Sequence, residues 1–324
     1  LVMELLRTVE PVTIIGLDNM NDYYDVSLKE YRLAEIEKLA STKKSSRWIF
    51  IKGNIADKAL LDKIFRGYNF DLVVNLAAQA GVRYSIDNPD VYIESNIIGF
   101  YNILEACRHN PVEHLVYASS SSVYGSNIKV PYSTDDKVDN PVSLYAATKK
   151  SNELLAHAYS KLYNIPTTGL RFFTVYGPAG RPDMAYFSFT NKLIKGETIK
   201  IFNFGNCMRD FTYIDDIVEG IVRLLNNPPE KAEESVAHRV FNIGNSNPEK
   251  LMTFIRVLEK ALSNALGREV EFEKIFEPIK PGDVPATYAS TDRLIEAVGF
   301  KPQTSIEEGL QKFADWYVKY YKVR

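Results

Sequence analysis

Short apolar segments alternate with helical segments over the first half of this sequence, and this alternation limits the folds that the chain can adopt. The segments 71–76 and 115–118 are nearly continuous apolar runs, which are typical of strands covered on both faces of a sheet. Helical periodicity occupies about 27–40, 88–108 and 143–163. Strands that alternate with helices in this way predict an α/β fold, with a doubly wound parallel sheet and right-handed crossovers.

Composition and charge exclude several classes of protein. The chain has 324 residues, of which 45% are hydrophobic and 25% charged, and its net charge of −2 gives no electrostatic reason to expect nucleic acid or an anionic membrane as a partner. No apolar run of the sequence approaches the ~18 residues of a membrane-spanning helix. The cysteines Cys107 and Cys207 and the scattered histidines suggest neither a disulfide framework nor a metal site, so we expect a cytoplasmic protein without a metal.

Residues that follow the strands are the expected ligand contacts, because ligands bind beyond the carboxyl ends of parallel strands. They are Asp18, Asn54, Ile55 and the segments 77–79 and 119–120. An acid at the end of the second strand of a dinucleotide-binding fold accepts hydrogen bonds from the adenosine ribose and repels a 2′-phosphate. Asp18 therefore favours NAD over NADP, although an Asp before Asn19 is also a common turn former.

A tyrosine and a lysine lie four residues apart in the helical segment 143–163. On a helix Tyr145 and Lys149 share one face, where the ammonium stabilises the phenolate and lowers the pKa of the phenol. Ser120, in the serine cluster 119–122, then shares the hydrogen bonds of proton transfer. With 20 tyrosines, one such pair is expected by chance, and a serine cluster is usually a solvated loop, so only the order of strand, hydroxyl turn and helix favours catalysis.

This order resembles the extended short-chain dehydrogenase/reductase family, whose members act on nucleotide sugars. The resemblance rests on Ser-Ser-Ser-Ser-Val-Tyr-Gly at 119–125 and on Tyr145 and Lys149. It implies catalytic roles for these two residues and Ser120, a Rossmann-type NAD-binding domain over about 1–175, and a mainly substrate-binding lobe over about 176–324, some of which returns to the first domain. The cofactor-binding residues expected on this basis are Asp18, Asn19, Asn54, Ile55, Leu76, Ala77, Ala78, Gln79, Asn96, Ser119, Tyr145, Lys149 and Phe172.

Two features depart from the family pattern. The sequence contains no Gly-x-x-Gly-x-x-Gly turn, in which backbone amides and a helix N-terminus hold the pyrophosphate. We expect that the sequence begins inside the first helix, after such a turn, and a molecule without the turn would put NAD binding in doubt. Asn54 stands where the family usually has an Asp facing the adenine. Its amide oxygen still accepts a hydrogen bond, so we expect weaker adenine binding rather than none.

Residues after the catalytic hydroxyl separate the reactions of this family. The nucleotide-sugar dehydratases and decarboxylases carry a carboxylate next to Val-Tyr-Gly, where this chain has Ser121 and Ser122. A serine hydroxyl is too weak an acid to replace that carboxylate. The segments 170–178 and 181–185 resemble UDP-glucuronate 4-epimerases, which implies that Tyr145 takes the proton of the sugar 4-hydroxyl and that a 4-keto sugar turns over before it is reduced.

Hydroxyls and arginines make up most of the expected substrate contacts. The expected set is Arg83, Ser121, Thr174, Arg181, Arg209 and Asp283. Arg181 and Thr174 suit a uronic carboxylate, since a guanidinium binds a carboxylate bidentately, and Arg209 suits the pyrophosphate. The competing interpretations are a surface turn for Arg181, a surface ion pair for Arg209 and a structural ion pair for Arg83.

The resemblance also implies a homodimer, in which 88–108 and 143–163 of each copy form a four-helix interface. Two other functions stay open. One is 4-epimerisation of a neutral sugar, UDP-glucose or UDP-N-acetylglucosamine, and the other is a catalytically inactive binding protein without the glycine turn.

Overall fold

The structure, a computed structural model, describes residues 1–230, 235–279 and 286–323. Its strands are β1 (Thr13–Asp18), β2 (Arg47–Lys52), β3 (Leu72–Asn75), β4 (His114–Ser120), β5 (Thr167–Phe172), β6 (Thr174–Tyr176), β7 (Ile199–Ile201), β8 (Met208–Tyr213), β9 (His238–Ile243), β10 (Pro248–Lys250), β11 (Lys274–Phe276) and β12 (Ala286–Thr287). Its α-helices are α1 (Val2–Thr8), α2 (Val26–Ala40), α3 (Lys58–Gly67), α4 (Tyr84–Asp87), α5 (Pro89–Tyr92), α6 (Gly99–His109), α7 (Leu144–Tyr163), α8 (Ala185–Lys195), α9 (Ile214–Leu225), α10 (Leu251–Leu266), α11 (Asp292–Val298) and α12 (Ile306–Tyr321).

Parallel strands form the layer on which the site is built. β3, β4, β5 and β9 make a parallel sheet in the order β3-β4-β5-β9, and β1 pairs with β2, also in parallel. Leu115 and Tyr117 of β4 pack against α3, α6 and α7, whereas Val116 between them packs against α9. Helices therefore cover both faces of the sheet, and the predicted doubly wound parallel α/β fold is confirmed.

The long helix α7 lies against the central strand β4. Its start is determined by Ser143, whose hydroxyl accepts a hydrogen bond from the backbone N–H of Ala146 at 3.1 Å, and its end by Asn164 in the left-handed conformation with φ 55°. Ala156 on its inner face is fully buried against the sheet layer. The helix thus has a defined start close to the carboxyl end of β4, where Tyr145 lies in its first turn.

The helix predicted over 88–108 is interrupted. It begins at Pro89 as α5, passes through a π-helical segment at Ile93–Ile98, and continues as α6. A π-helical turn contains an extra residue, so it rotates the side chains that follow it relative to those that precede it. Apolar periodicity does not reveal such a turn, because the interruption is shorter than the window over which the periodicity is read.

A second group of elements comes from the later part of the chain, on either side of β9 in the sequence. β8 pairs with β6, β10 and β12, and β7 pairs with β11. Helices α8, α10 and α12 form an aromatic core around Phe187, Phe254 and Phe313, which are fully buried. Pro248–Lys250 pairs with β8 as strand β10, and α10 follows it directly. None of the helices that the structure describes is long and apolar enough to cross a membrane.

Candidate active site

One face of α7 carries Tyr145, Lys149 and Glu153, each about one turn from the next. This face packs against β4 and the 3₁₀ helix at Ser121–Tyr124 that follows it. Ser119 Oγ donates to Glu153 Oε1 at 2.7 Å, and the Ser120 hydroxyl forms a hydrogen bond with the Tyr145 phenol. The structure therefore places the predicted catalytic residues Ser120 and Tyr145 in direct contact, with Lys149 one turn further along the helix.

Burial changes the acidity of both predicted catalytic groups on α7. It raises the pKa of the Tyr145 phenol, and the hydrogen bond with Ser120 and the charge of Arg181 oppose this effect without reversing it. It lowers the pKa of Lys149 to about 8, although the charge of Glu153 raises it. The low phenol pKa that we expected is therefore not produced by the side chains of the protein alone, because loss of water around the phenol outweighs them.

Behind the serines lies a buried ion pair that the sequence analysis did not identify. Arg171 of β5 binds Glu153 bidentately, with Nε to Oε1 at 2.8 Å and Nη2 to Oε2 at 2.9 Å, and each residue is 3% exposed. Burial raises the pKa of the Glu153 carboxyl, but Arg171 and Ser119 outweigh it and the pKa is lowered. Loss of one partner would leave the other charge buried and uncompensated, which typically costs about 3–5 kcal/mol, so both partners are needed where β4, β5 and α7 meet.

The same guanidinium extends the network to the next strand. Arg171 Nη1 donates to Tyr124 Oη at 3.0 Å, and Tyr124 Oη donates to Asn242 Oδ1 of β9 at 2.7 Å. Glu153 has a local signal in the sequence, since it follows Lys149 by four residues. Arg171 and Asn242 have none, because only the pairing of β5 with β4 and β9 brings them to the site.

A cleft opens at the carboxyl ends of β1, β2 and β3. It is lined by the following predicted cofactor-binding residues: Asp18, Asn19, Asn54, Ile55, Leu76, Ala77, Ala78 and Gln79. Arg181, predicted to bind the substrate, lines the same cleft, together with Tyr23 and Lys29, which the sequence analysis missed. The rule that ligands bind at the carboxyl ends of parallel strands thus located the cleft.

The side chains of Asp18 and Asn54 each already accept a hydrogen bond from the backbone of the protein. Asp18 Oδ1 accepts from the backbone N–H of Met20 at 2.7 Å and lies 3.6 Å from Lys29 Nζ, while its side chain is 53% exposed. The carboxylate therefore forms the turn that was its competing interpretation and still faces the cleft. Asn54 Oδ1 accepts from the N–H of Ala56 at 2.9 Å, so the oxygen expected to contact adenine already has one donor.

Other predicted cofactor contacts lie deeper than the cleft. Asn96 is 1% exposed, and its amide bonds to the backbone of Gln79 and to Thr148 Oγ1 at 2.8–3.0 Å. In this structure Asn96 joins the π-helical segment, the loop after β3 and α7. Ser119 is bound to Glu153, as described, and Phe172 ends β5 beside Ser120.

Arg181 does not lie alone at the cleft. Its Nε donates to Asp183 Oδ1 at 3.1 Å and its Nη2 to Asp183 Oδ2 at 2.9 Å, with side-chain exposures of 35% and 33%. Tyr23 Oη donates to Asp183 Oδ2 at 3.4 Å. The competing interpretation of a surface turn is thus partly correct, but the charge of Arg181 also acts on Tyr145, so the pair belongs to the site.

The other described residues predicted to contact the substrate are not among those that line this cleft. Thr174 begins β6 and pairs with β8, the strand that carries Arg209. Arg209 Nη1 donates to the Met208 carbonyl at 2.8 Å. Ser121 begins the 3₁₀ helix after β4, and the Arg83 guanidinium lies 5.3 Å from the centre of the Phe202 ring. Asp283 lies outside the described residues.

Comparison with known proteins agrees with this geometry. A model of the NAD dependent epimerase/dehydratase family matches residues 10–244. Protein CapI of Staphylococcus aureus is 52% identical over 95% of this chain and 92% of its own length, and UDP-glucuronate 4-epimerase 4 of Arabidopsis thaliana is 48% identical over 95% and 70%. A crystal structure of a tyrosine-to-phenylalanine mutant of UDP-glucuronic acid 4-epimerase from Bacillus cereus, in complex with UDP-4-deoxy-4-fluoro-glucuronic acid and NAD, is similar with a TM-score of 0.85, 31% identity, and coverage of 99% of this chain and 95% of that one.

The fold and the Ser-Tyr-Lys constellation define a dinucleotide-dependent enzyme with a Rossmann-type sheet. Together with the match over 10–244, they show that the chain belongs to the NAD dependent epimerase/dehydratase family, an extended short-chain dehydrogenase/reductase group.

The side chains of this chain fit the cofactor of that family. Asp18 Oδ2 accepts from no described residue, so a carboxylate oxygen is left in the cleft for ribose hydroxyls. Lys149 is 3% exposed, and within the described residues its ammonium makes no hydrogen bond or ion pair, so its donors suit hydroxyls as well. A buried ammonium without partners is costly unless a ligand satisfies it.

Proposed function

We propose that this protein catalyses the NAD-dependent 4-epimerisation of a UDP-sugar, converting UDP-glucuronate to UDP-galacturonate. The single observation that supports this substrate is Arg181, which lines the cofactor cleft and whose charge also acts on the Tyr145 phenol. A guanidinium at that position suits a sugar that carries a carboxylate. UDP-glucuronate 4-epimerases are also among the relatives that cover 95% of the chain.

The proton chemistry belongs to α7 and β4. Tyr145 takes the proton of the sugar 4-hydroxyl and later returns it, and Ser120, in contact with the phenol, shares that hydrogen bond. Lys149 lies one turn away, and its buried ammonium offers donors to the hydroxyls of the cofactor. NAD, which Asp18 and Lys149 would help to hold, would supply the redox capacity as hydride acceptor from C4 and, in its reduced form, as hydride donor to the ketone. No carboxylate stands at 121 or 122, where elimination would need one, so the reaction stops at inversion.

The carboxylate of the sugar needs its own binding site for a chemical reason. A uronic 4-ketone is a β-keto acid, which loses carbon dioxide when its carboxylate aligns with the carbonyl. Arg181, with the Thr174 hydroxyl at the start of β6, holds the carboxylate out of that alignment when the ketone forms. The same contacts separate a uronate from a neutral hexose.

The test compares two substrates in two proteins. In Arg181→Ala, kcat/KM for UDP-glucuronate should fall about 30-fold, which corresponds to the lower end of the ~2–5 kcal/mol expected when one of two paired charges is removed, because Arg181 is partly exposed. The value for UDP-glucose should change little. Product analysis by NMR measures kcat/KM for both substrates. Absorbance should show no net formation of NADH during turnover.

A matched control is Arg293→Ala, which removes an arginine paired with Asp135 on the surface. Equal losses for the two substrates in Arg181→Ala would contradict the proposal and favour a neutral UDP-hexose 4-epimerase. Steady growth of NADH absorbance with UDP-glucuronate would identify a dehydrogenase instead.

We also propose that the protein is a cytoplasmic homodimer. Apolar side chains remain exposed on the adjacent segments of α6, the π-helical turn and α7; they are Ile98, Tyr101, Leu154 and Leu162, with exposures of 45%, 39%, 60% and 68%. A second copy that presents the same helices would cover them as a four-helix interface. Buried, unpaired Cys107 and Cys207 are consistent with a reducing compartment.

A further inference from the structure

Asp183 already occupies the guanidinium that we assign to the sugar carboxylate. The two oxygens of Asp183 accept from Arg181 Nε at 3.1 Å and Nη2 at 2.9 Å, which is the bidentate arrangement that a uronic carboxylate also forms. Within the described residues, Arg181 Nη1 has no partner, so the guanidinium has room for a second carboxylate. One cation therefore serves two carboxylates when the substrate is bound.

Contacts from other parts of the chain hold this pair in place. Tyr23 Oη donates to Asp183 Oδ2 at 3.4 Å, and the Tyr23 ring lies edge-on to Tyr84 at 4.9 Å. Arg32 of α2 donates to the carbonyls of Ala179 and Gly180 at 2.9 and 3.1 Å, which ties down the loop before Arg181. The position of Asp183 is thus determined by the segment that begins at the cofactor cleft, as well as by its neighbour in sequence.

We propose that Asp183 is a positioning residue that limits how tightly Arg181 holds the sugar carboxylate, so that the 4-keto sugar is released to turn. The inference rests on the proposed function. Epimerisation presents both faces of C4 in turn, so the carboxylate has to move away from its first position before reduction. A guanidinium without a counter-ion, in a partly dry cleft, would retain it. Asp183 neutralises part of that charge. It remains as the counter-ion of the guanidinium when the sugar carboxylate leaves.

A merely orienting role for Asp183 makes the opposite prediction. If Asp183 only oriented the Arg181 side chain, removal of Asp183 would allow the guanidinium to adopt other conformations. Binding of UDP-glucuronate would then be weaker. If Asp183 competes for the charge, its removal strengthens that binding and slows turnover. The sign of the change in affinity therefore separates the two roles.

The experiment measures binding in a background without turnover. NAD-loaded full-length protein carrying Tyr145→Phe is titrated with UDP-glucuronate and with UDP-glucose by calorimetry, with and without Asp183→Asn. We expect Asp183→Asn to lower Kd for UDP-glucuronate about two- to fivefold, in the range for partly exposed charge pairs, and to leave Kd for UDP-glucose unchanged. With Tyr145 intact, kcat for UDP-glucuronate should fall in Asp183→Asn.

Two variants complete the test. Tyr23→Phe removes the hydrogen bond to Asp183 and should shift Kd for UDP-glucuronate in the same direction, but less, while Asp135→Asn removes a surface carboxylate from an arginine and should shift neither Kd. A higher Kd for UDP-glucuronate in Asp183→Asn, or equal changes for both ligands, would overturn the proposal. If the proposed function itself is wrong, Arg181→Ala will leave UDP-glucuronate binding unchanged, a result that removes both proposals and differs from the failure of Asp183 alone.

Discussion

Tyr145 and Lys149, the proposed proton-transfer pair, both lie in surroundings that disfavour their charged forms. Burial favours the neutral phenol and also the neutral amine, since it raises the pKa of Tyr145 and lowers that of Lys149 to about 8. The groups that favour the phenolate are Ser120, by a hydrogen bond, and Arg181, by its charge. In the proposed mechanism, the arginine assigned to the substrate carboxylate therefore also favours the base.

The first prediction concerns a single side chain, in the variant Tyr145→Phe. The change deletes the proton acceptor and keeps the ring, which packs edge-on to Tyr92 at a centroid distance of 6.0 Å. We expect turnover to fall at least about 100-fold, the usual contribution of a general base, while UDP-sugar binding stays nearly unchanged. NMR assays of the product measure turnover, and calorimetry measures UDP-sugar binding. Retention of more than about a tenth of the activity would contradict a general-base role, and Tyr163→Phe at the far end of α7 is the control.

The helices and strands of this protein bring residues that are distant in the sequence to one edge of the parallel sheet. α7 connects Tyr145 to Glu153, and Glu153 connects α7 to β5 through Arg171. β5 in turn pairs with β9, which brings Asn242 to the Tyr124 hydroxyl. The helix that carries Tyr145 is thus joined to the sheet by buried contacts, whereas Arg181 lies in a loop that contacts Tyr23 and Arg32.

A prediction about the helices concerns the outer faces of α6 and α7. Leu154 and Leu162 lie eight residues apart, so they fall on the same side of α7, and both are exposed. If a second copy covers them, Leu154→Arg with Leu162→Arg should halve the mass measured by light scattering, because buried charges at the interface would lack partners. Ile128→Arg, at a residue that is 96% exposed, is the control. A monomeric wild-type protein, or a double variant that stays dimeric, would disprove this interface.

Acid sensitivity is a property of the whole molecule, because buried histidines lie between the main sheet and its covering elements. His114 is fully buried, with Nε2 at 2.8 Å from Thr168 Oγ1, and His238 Nδ1 lies 2.8 Å from Thr167 Oγ1. Burial lowers the pKa of both histidines to about 4 from an ordinary value of 6.5. The unfolded chain therefore binds more protons than the folded one between these values.

Stability should accordingly be complete above about pH 6.5 and decline as the pH falls toward 4. Each histidine contributes about 1–2 kcal/mol of this loss by pH 5. Urea unfolding at pH 7 and pH 5 measures the free energy of unfolding, and His114→Asn should reduce the difference between the two. The exposed His109, changed to Gln, should leave the difference unchanged. A free energy of unfolding that is equal at the two pH values would contradict the assigned protonation.

Local patterns in the sequence determined the α/β alternation, the approximate limits of β3, β4, α2 and α7, and the spacing of Tyr145 and Lys149. These features depend on contacts between near neighbours, such as apolar periodicity and the turn of a helix, and they carry over into any fold that contains the segment. The general rule for parallel sheets then placed Asp18, Asn54 and Gln79 at one cleft.

Tertiary structure alone decided the partners of the charged groups. Arg171 meets Glu153 because β5 pairs with β4, and Tyr23 meets Asp183 across 160 positions of the chain. The pKa of Tyr145 rises rather than falls because burial, which no local pattern measures, outweighs the hydrogen bond and the charge that oppose it. Both outcomes depend on the path of the whole chain and on how much water it excludes, whereas the spacing of residues reports only what one segment can do.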